Sequence, residues 1–282
     1  MKVLVAGCRG MLGTDLMQGL DPHVPLGLDL PELDITDARR CREQVLDFKP
    51  EVVIHAAALT NVDWCEAHEQ EALLVNGQGT GNLAAAAHEA GALFVYYSTD
   101  YVFDGIKESA YLETDPTHPL SAYGRSKLCG EEMTRSHGPN HLILRTSWLF
   151  GRNGKNFIRT IVEMARDGQP LHVVDDQLGS PTYARDLALQ TWNMVRRGCR
   201  GTYHVTNSDF CSWYELARRC VEWAAVPGAH IEPVKTHEYP RPAPRPACSI
   251  LANARLLSEG VPLLRSWQEA AREYVTTCLP AL

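Results

Sequence analysis

Along the first half of the chain, short apolar runs alternate with longer stretches of helical period. VLVA (3–6) gives way to MLGTDLMQGL, and VPLGLDL (24–30) to DARRCREQVLDF. EVVIHAAA (51–58) precedes EQEALLVNGQGTGNLAAAAHEAG, and ALFVYYST (92–99) precedes a long loop. AYGRSKLCGEEMTRS then has helical spacing, and HLILRTSW (141–148) returns to an apolar run. Strands that are apolar throughout, rather than at alternate positions, belong to a parallel sheet covered on both faces. The helical stretches supply its right-handed crossovers. The pattern therefore predicts an α/β fold with a doubly wound parallel sheet, mainly within residues 1–150. After Gly151 the character changes. DDQLGSPTYARDLA (175–188), a helical stretch from near Ser212 and the proline-rich RPAPRPACSIL (241–251) predict a smaller C-terminal lobe. That lobe is expected mainly within 151–282, with some segments returning to the first unit. The prolines read as a rigid loop rather than a partner-docking motif, because the RPAPRP core is short and lies inside an otherwise globular sequence.

Composition narrows the classes. With 282 residues, 45% hydrophobic and 22% charged, the chain can bury a sizeable core. A net charge of -7 argues against non-specific nucleic-acid binding, which needs basic surface to displace counterions. Nine scattered cysteines, with no CxxC pair, read as reduced thiols and mostly buried filler. The run Val3–Ala6 is too short for a secretory apolar region, which needs about 7–15 residues. No apolar run approaches the ~20 residues of a membrane span. The expectation is a cytoplasmic protein with a small-molecule ligand and neither nucleic-acid nor membrane partners.

The candidate chemistry starts at GCRGMLG. Gly7, Gly10 and Gly13 lie between a strand and a helix, where a tight turn brings backbone N–H groups to a pyrophosphate. Asp29, at the end of the second strand, suits the adenosine ribose. The alternative is a strand–turn–helix that binds nothing. Tyr123 and Lys127, four apart in AYGRSK, share one helix face. An ammonium there would lower the phenol's pKa and hold a nicotinamide ribose, leaving Tyr123 as general acid. An amphipathic surface helix gives the same spacing. Thr99, at a strand end that should line the ligand crevice, would hydrogen-bond the carbonyl oxygen Tyr123 protonates. HAAALTNVDWCE (55–66) offers small residues and the Thr60 hydroxyl, although tight packing explains the alanines equally well. His55 reads as a satisfied core histidine, and Asp175 and Asp176 as carboxylates pointing apart. HExxH, GxSxG and GxxxxGK[ST] are all missing, so zinc, serine-hydrolase and P-loop chemistry have no support.

With these residues in place, the chain resembles the extended short-chain dehydrogenase/reductase superfamily, and within it the dTDP-4-dehydrorhamnose reductase family. The resemblance runs through GCRGMLG, LDITD (33–37), AAALTNVDWCE, YYSTDYVFDG (96–105), YGRSK, LRTSWLFG (144–151), DDQLGSPTYARDLA and RPAPRPACSIL. It implies a Rossmann-type cofactor domain, a substrate-binding lobe, and reduction of the C4 keto group of a dTDP-linked 6-deoxyhexose to give dTDP-L-rhamnose. It also implies catalytic roles for Tyr123, Lys127 and Thr99. Cofactor contacts fall on Gly10, Met11, Leu12, Asp29, Asp34, Ile35, Ala58, Leu59, Thr60, Tyr97, Tyr123 and Lys127, beside Gly7 and Gly13 of the turn. Substrate contacts fall on Thr99, Asp100 and Trp148. Some members hold Mg2+ at a homodimer contact, where Asp15 stands in place of their glutamate.

Cys8–Arg9 and Trp64–Cys65 depart from the family pattern. Arg9 suits the 2′-phosphate of NADPH, and Asp29 the free hydroxyl of NADH. The biosynthetic direction favours NADPH. Arg241 and Arg245 are either diphosphate clamps or surface charges. Two rival readings use the same fold. An epimerase or dehydratase would keep NAD tightly bound, and a dehydratase would need an extra acid near Thr99, which Asp100 could supply. A non-catalytic regulatory subunit would have no need of Tyr123 and Lys127.

Overall fold

The computed structural model describes residues 1–19 and 24–279 of the chain. Six strands form the central sheet: β1 (Lys2–Ala6), β2 (Val24–Leu28), β3 (Val52–His55), β4 (Leu93–Thr99), β5 (His141–Thr146) and β6 (Gly201–His204). All their pairings are parallel, in the order β6-β5-β4-β3-β1-β2. This is the doubly wound Rossmann-type sheet that the apolar runs predict.

Its two covered faces can be read residue by residue. Val3 and Val5 enter one core with Val95 and Tyr97, while Leu4 and Ala6 enter the other with Phe94 and Tyr96. Successive side chains alternate across the sheet, so strands buried on both faces must be apolar throughout. The first face is covered by α1 (Met11–Gln18) and α6 (Ala184–Arg196), the second by α2 (Ala38–Phe48) and α3 (Thr80–Glu89). The helix α4 (Ala122–Ser136) lies beside β4 and leads into β5.

The strand order places the crevice. β1 has β2 on one side and β3 on the other, so the chain reverses direction across the sheet between β1 and β3. Ligands of open α/β sheets bind at such a point, beyond the carboxyl ends of the strands. Ala6 stands level with His55, and His55 with Tyr96; β4 runs on to put Thr99 opposite Thr146.

A second core holds Phe150, Ile158, Val162, Trp267 and Tyr274. It is built on α5 (Phe157–Arg166), α7 (Trp213–Trp223) and α8 (Trp267–Cys278), with short strand pairs between them. The chain crosses between the two parts repeatedly, since α6 and β6 come after α5 yet belong to the large sheet and its cover. The RPAPRP stretch is a loop without regular structure, and all nine cysteines are free, with Cys41, Cys65, Cys199, Cys211 and Cys220 buried. No helix among the described residues is long and apolar enough to cross a membrane.

Candidate active site

The turn after β1 is set by crowding. Gly7 has φ 82, and a Cβ there would strike the backbone of Ala57. A Cβ at Gly13 would run into the Gly7 carbonyl, so both must be glycine for α1 to start this close to the sheet. Gly10 is the N-cap of α1 and offers no side chain to the first-turn N–H groups, which are left for an anion.

Arg9 is exposed and paired with the loop that follows β2. Its backbone N–H donates to Asp29 Oδ2 (2.9 Å), and its guanidinium to Leu30 O (2.7 Å) and Glu32 Oε1 (2.6 Å). The ion pair is exposed, so a competing anion displaces it at small cost.

The loop after β3 is tied to α4 through one buried amide. Asn76 Oδ1 accepts from Leu59 N (2.8 Å), while its Nδ2 donates to Leu59 O (2.9 Å) and Ser126 Oγ (3.0 Å). Asn76 reaches both because Leu73–Gly79 is wound as a π-helix, an irregularity common at functional sites. The sequence reads this stretch as one helix, and the wider turn interrupts it. At the start of α4, Ser121 accepts from Gly124 N, Glu66 accepts from Ala122 N (2.7 Å), and Gly124 packs where a Cβ would strike Tyr101 O.

These constraints bring Tyr123, Lys127 and Thr99 onto one cavity of about 480 Å3. Gly10, Met11, Leu12, Ala58, Thr60, Tyr97, Asp100 and Trp148 line it too. Gly7, Gly13, Asp29, Asp34, Ile35 and Leu59 do not. Gly7, Gly13 and Asp29 shape the turn. Asp34 accepts from Thr36 N and Oγ1 (2.9 and 2.7 Å), and Ile35 is buried with its carbonyl taken by Asn82. Tyr97 turns its hydroxyl into the core, onto Thr191 Oγ1 (2.8 Å).

The electrostatics reverse one expectation. Burial pushes the Tyr123 phenol up, Asp100 adds to this, and a hydrogen bond with Thr99 only partly offsets both. The phenol therefore holds its proton, rather than being acidified by a neighbouring ammonium. Burial lowers Lys127 to about 7, against the pull of Glu131 one helical turn away. Its Nζ lies 4.3 Å from the centre of the Tyr96 ring. Burial would raise Glu131, but the Arg145 hydrogen bonds (both 2.8 Å) and charge hold it below the usual carboxylate range. Asp100 is buried and pushed up to about 7, and it accepts from Thr99 Oγ1 (2.9 Å). His55 is kept neutral by burial and by Lys127, and is bonded to Thr80 Oγ1 (3.0 Å). It is the core histidine expected, although it also lines the cavity.

Trp148 borders the cavity in a left-handed conformation, φ 47, which costs a bulky residue about 1–3 kcal/mol. Its ring stacks on Trp213, with centroids 3.5 Å apart and planes 7° apart. Trp213, Tyr101, Lys155 and Ser147 are lining residues that short motifs do not reveal. Only the helix start SWYE (212–215), with Ser212 capping Glu215 N, marks where Trp213 must lie.

A neighbouring cavity of about 430 Å3 is lined by His172, Gln177, Tyr239, Arg241 and Arg245 among others. Arg245 donates to Asp63 Oδ1 (2.7 Å), and Arg241 lies 3.8 Å from Asp63 Oδ2. Both arginines therefore border a cavity with one carboxylate between them.

Comparison with known proteins decides the family. The family described as RmlD substrate binding domain matches residues 1–279. A dTDP-4-dehydrorhamnose reductase of Burkholderia thailandensis is 42% identical, covering 96% of each chain. The chain belongs to this family. The fold agrees: a dTDP-4-dehydrorhamnose reductase of Clostridium acetobutylicum superposes with TM-score 0.95 at 38% identity, covering 98% of each chain. One from Bacillus anthracis, solved in complex with NADP, gives 0.94 at 35%, covering 97% of this chain and 98% of its own. Among the described residues, no group of three or more His, Cys, Asp or Glu side chains is placed to hold a metal ion. Asp15 is buried on α1, and burial raises its carboxyl against the opposing charges of Arg185 and Arg152.

Proposed function

We propose that this member of the family reduces the C4 keto group of dTDP-4-dehydro-6-deoxy-L-mannose to dTDP-L-rhamnose, with NADPH preferred as the nicotinamide cofactor. The observation that carries the reading is Tyr123, Lys127 and Thr99 around one cavity that begins at the glycine turn. The uncapped start of α1 and the crowding at Gly7 and Gly13 fit a dinucleotide. Gly10, Met11, Leu12, Ala58, Thr60 and Lys127 would hold it from the cavity side, with Asp29 at the adenosine ribose. The NADP of the Bacillus anthracis relative favours NADPH here, and the Arg9–Glu32 pair would have to open for a 2′-phosphate.

When bound, the nicotinamide supplies the hydride. Tyr123 gives its retained proton to the carbonyl oxygen, and the Thr99 hydroxyl turns from Asp100 to the same oxygen. Lys127, as an ammonium, holds the ribose hydroxyls and favours the phenolate left behind. The second cavity accommodates the nucleoside diphosphate, with Arg241 and Arg245 released from Asp63 to meet phosphate. Asp100 is a proton-bearing neighbour of Thr99. An epimerase or dehydratase could use it as well, so the reaction must be assayed directly.

The test is turnover over a panel of 4-keto sugar nucleotides, including dTDP-4-keto-6-deoxy-D-glucose, with NADPH and NADH. Loss of reduced-nicotinamide absorbance with dTDP-4-dehydrorhamnose is expected. No change with either cofactor overturns the proposal.

A pH dependence follows from Lys127. Its ammonium is intact below about 7 and is lost as pH rises through that value. NADPH affinity, measured by fluorescence titration without substrate, should weaken several-fold across the neutral range. The trend should vanish in Lys127→Met and persist in Asp100→Asn, whose carboxyl otherwise titrates in the same window.

A further inference from the structure

Two cavities meet at two aromatic side chains. Tyr101 and Trp213 border both the reaction cavity and its neighbour, whereas Tyr123 and Trp148 border the first alone. Tyr101 stands edge-on to Tyr123, with ring centres 5.9 Å apart and planes at 76°. Trp213 lies flat on Trp148 and meets Phe157 at 4.5 Å and 57°.

One small element fixes both indoles. Leu178–Gly179 pairs antiparallel with Cys211–Ser212. Gly179 lies so close to the Trp148 ring that a Cβ there would collide with it, and Ser212 immediately precedes Trp213. Ser212 donates to Asp175 Oδ1 (2.6 Å) and accepts from Glu215 N (3.1 Å), which anchors the first turn of α7. The strand that makes room for Trp148 is thus paired with the strand that delivers Trp213. Both indoles are half-buried, so part of the stack faces the cavity.

Resting on the function proposed above, we infer that Trp213 is a positioning residue. With Tyr101 it forms the neck between the cavities and seats a sugar nucleotide across it, pyranose towards Tyr123 and nucleoside diphosphate beyond. An indole suits this place because it is rigid, packs against the C–H face of a sugar, and carries no charge to compete for the diphosphate. Its stack on Trp148 holds it in one orientation, so the neck fixes how far the sugar reaches. A 4-keto sugar carrying a nucleoside diphosphate is then held with C4 at Tyr123, while the nucleoside diphosphate alone occupies only the far cavity.

The test compares Trp213→Ala and Trp213→Phe with the parent enzyme in the same assay. Binding of dTDP alone is followed by calorimetry, and thermal unfolding is recorded for each protein. In Trp213→Ala, kcat/KM should fall by about 100-fold, the scale of a small misplacement of the reacting group, with kcat falling as well as KM rising. Trp213→Ala should lower the Tm, because it uncovers the Trp148 and Phe157 rings, yet still bind dTDP within a few-fold of the parent, and Trp213→Phe should recover both the Tm and most of the activity. Parent-like kinetics in Trp213→Ala overturn the proposal. So does parallel loss of dTDP binding and thermal stability that phenylalanine does not restore, because that marks a purely structural residue. A parent enzyme inert towards every 4-keto sugar nucleotide overturns the proposed function itself, and this inference with it.

Discussion

Replacing Tyr123 with phenylalanine is expected to lower kcat by about 10²–10⁴-fold, the usual contribution of a positioned general acid. NADPH affinity, measured by fluorescence titration, should stay at the parent value. The ring remains, and with it the edge contact with Tyr101 and the packing of the first turn of α4. What disappears is the hydroxyl that burial keeps protonated beside Thr99. The loss should therefore appear in chemistry rather than in binding. Parent-like turnover would reassign the proton donor, and Asp100, buried one residue beyond Thr99, is the group to examine next.

Gly7→Ala should damage cofactor binding and stability together. The residue would have to hold φ 82 and place its Cβ into the Ala57 backbone. Backbone strain and overpacking each cost about 1–3 kcal/mol, which gives a Tm drop on the order of 5–10 °C. Moving the turn also moves the start of α1, whose N–H groups are aimed at the pyrophosphate in the proposed complex. NADPH affinity should fall by about 100-fold or more, since a loss of roughly 3 kcal/mol corresponds to that factor. Parent-like affinity and Tm together would show that the turn can shift without consequence.

The sheet was legible because burial on both faces leaves a one-dimensional trace: VLVA, VVI and LFVYY are apolar or aromatic at every position, with polar residues only at the strand ends. The grouping of Thr99, Tyr123 and Lys127 on one cavity was legible for a related reason, since Thr99 ends a strand and Tyr123 and Lys127 share a helix face, and both placements follow from local geometry. Tyr123's acidity was not legible. The sequence places Lys127 near the phenol, but how dry the site is depends on the whole fold, and burial is the largest cause of the phenol's raised pKa. The partners of Arg9 were likewise not legible, because the Leu30 carbonyl and Glu32 come from the loop after β2. Asn76 and Trp213 were invisible for a further reason. Each works by joining segments far apart in sequence, and no short motif records such a bond.

The route of the chain has a consequence for engineering. β6 pairs with β5 and α6 covers the first core, although both follow α5 of the second part. No single junction divides the molecule into exchangeable modules. A chimera spliced near residue 150 would strip β5 of its outer neighbour and leave the α1 face partly bare. Recombining substrate lobes among relatives would therefore need several crossover points placed together, with β6 and α6 inherited from the parent that supplies the glycine turn.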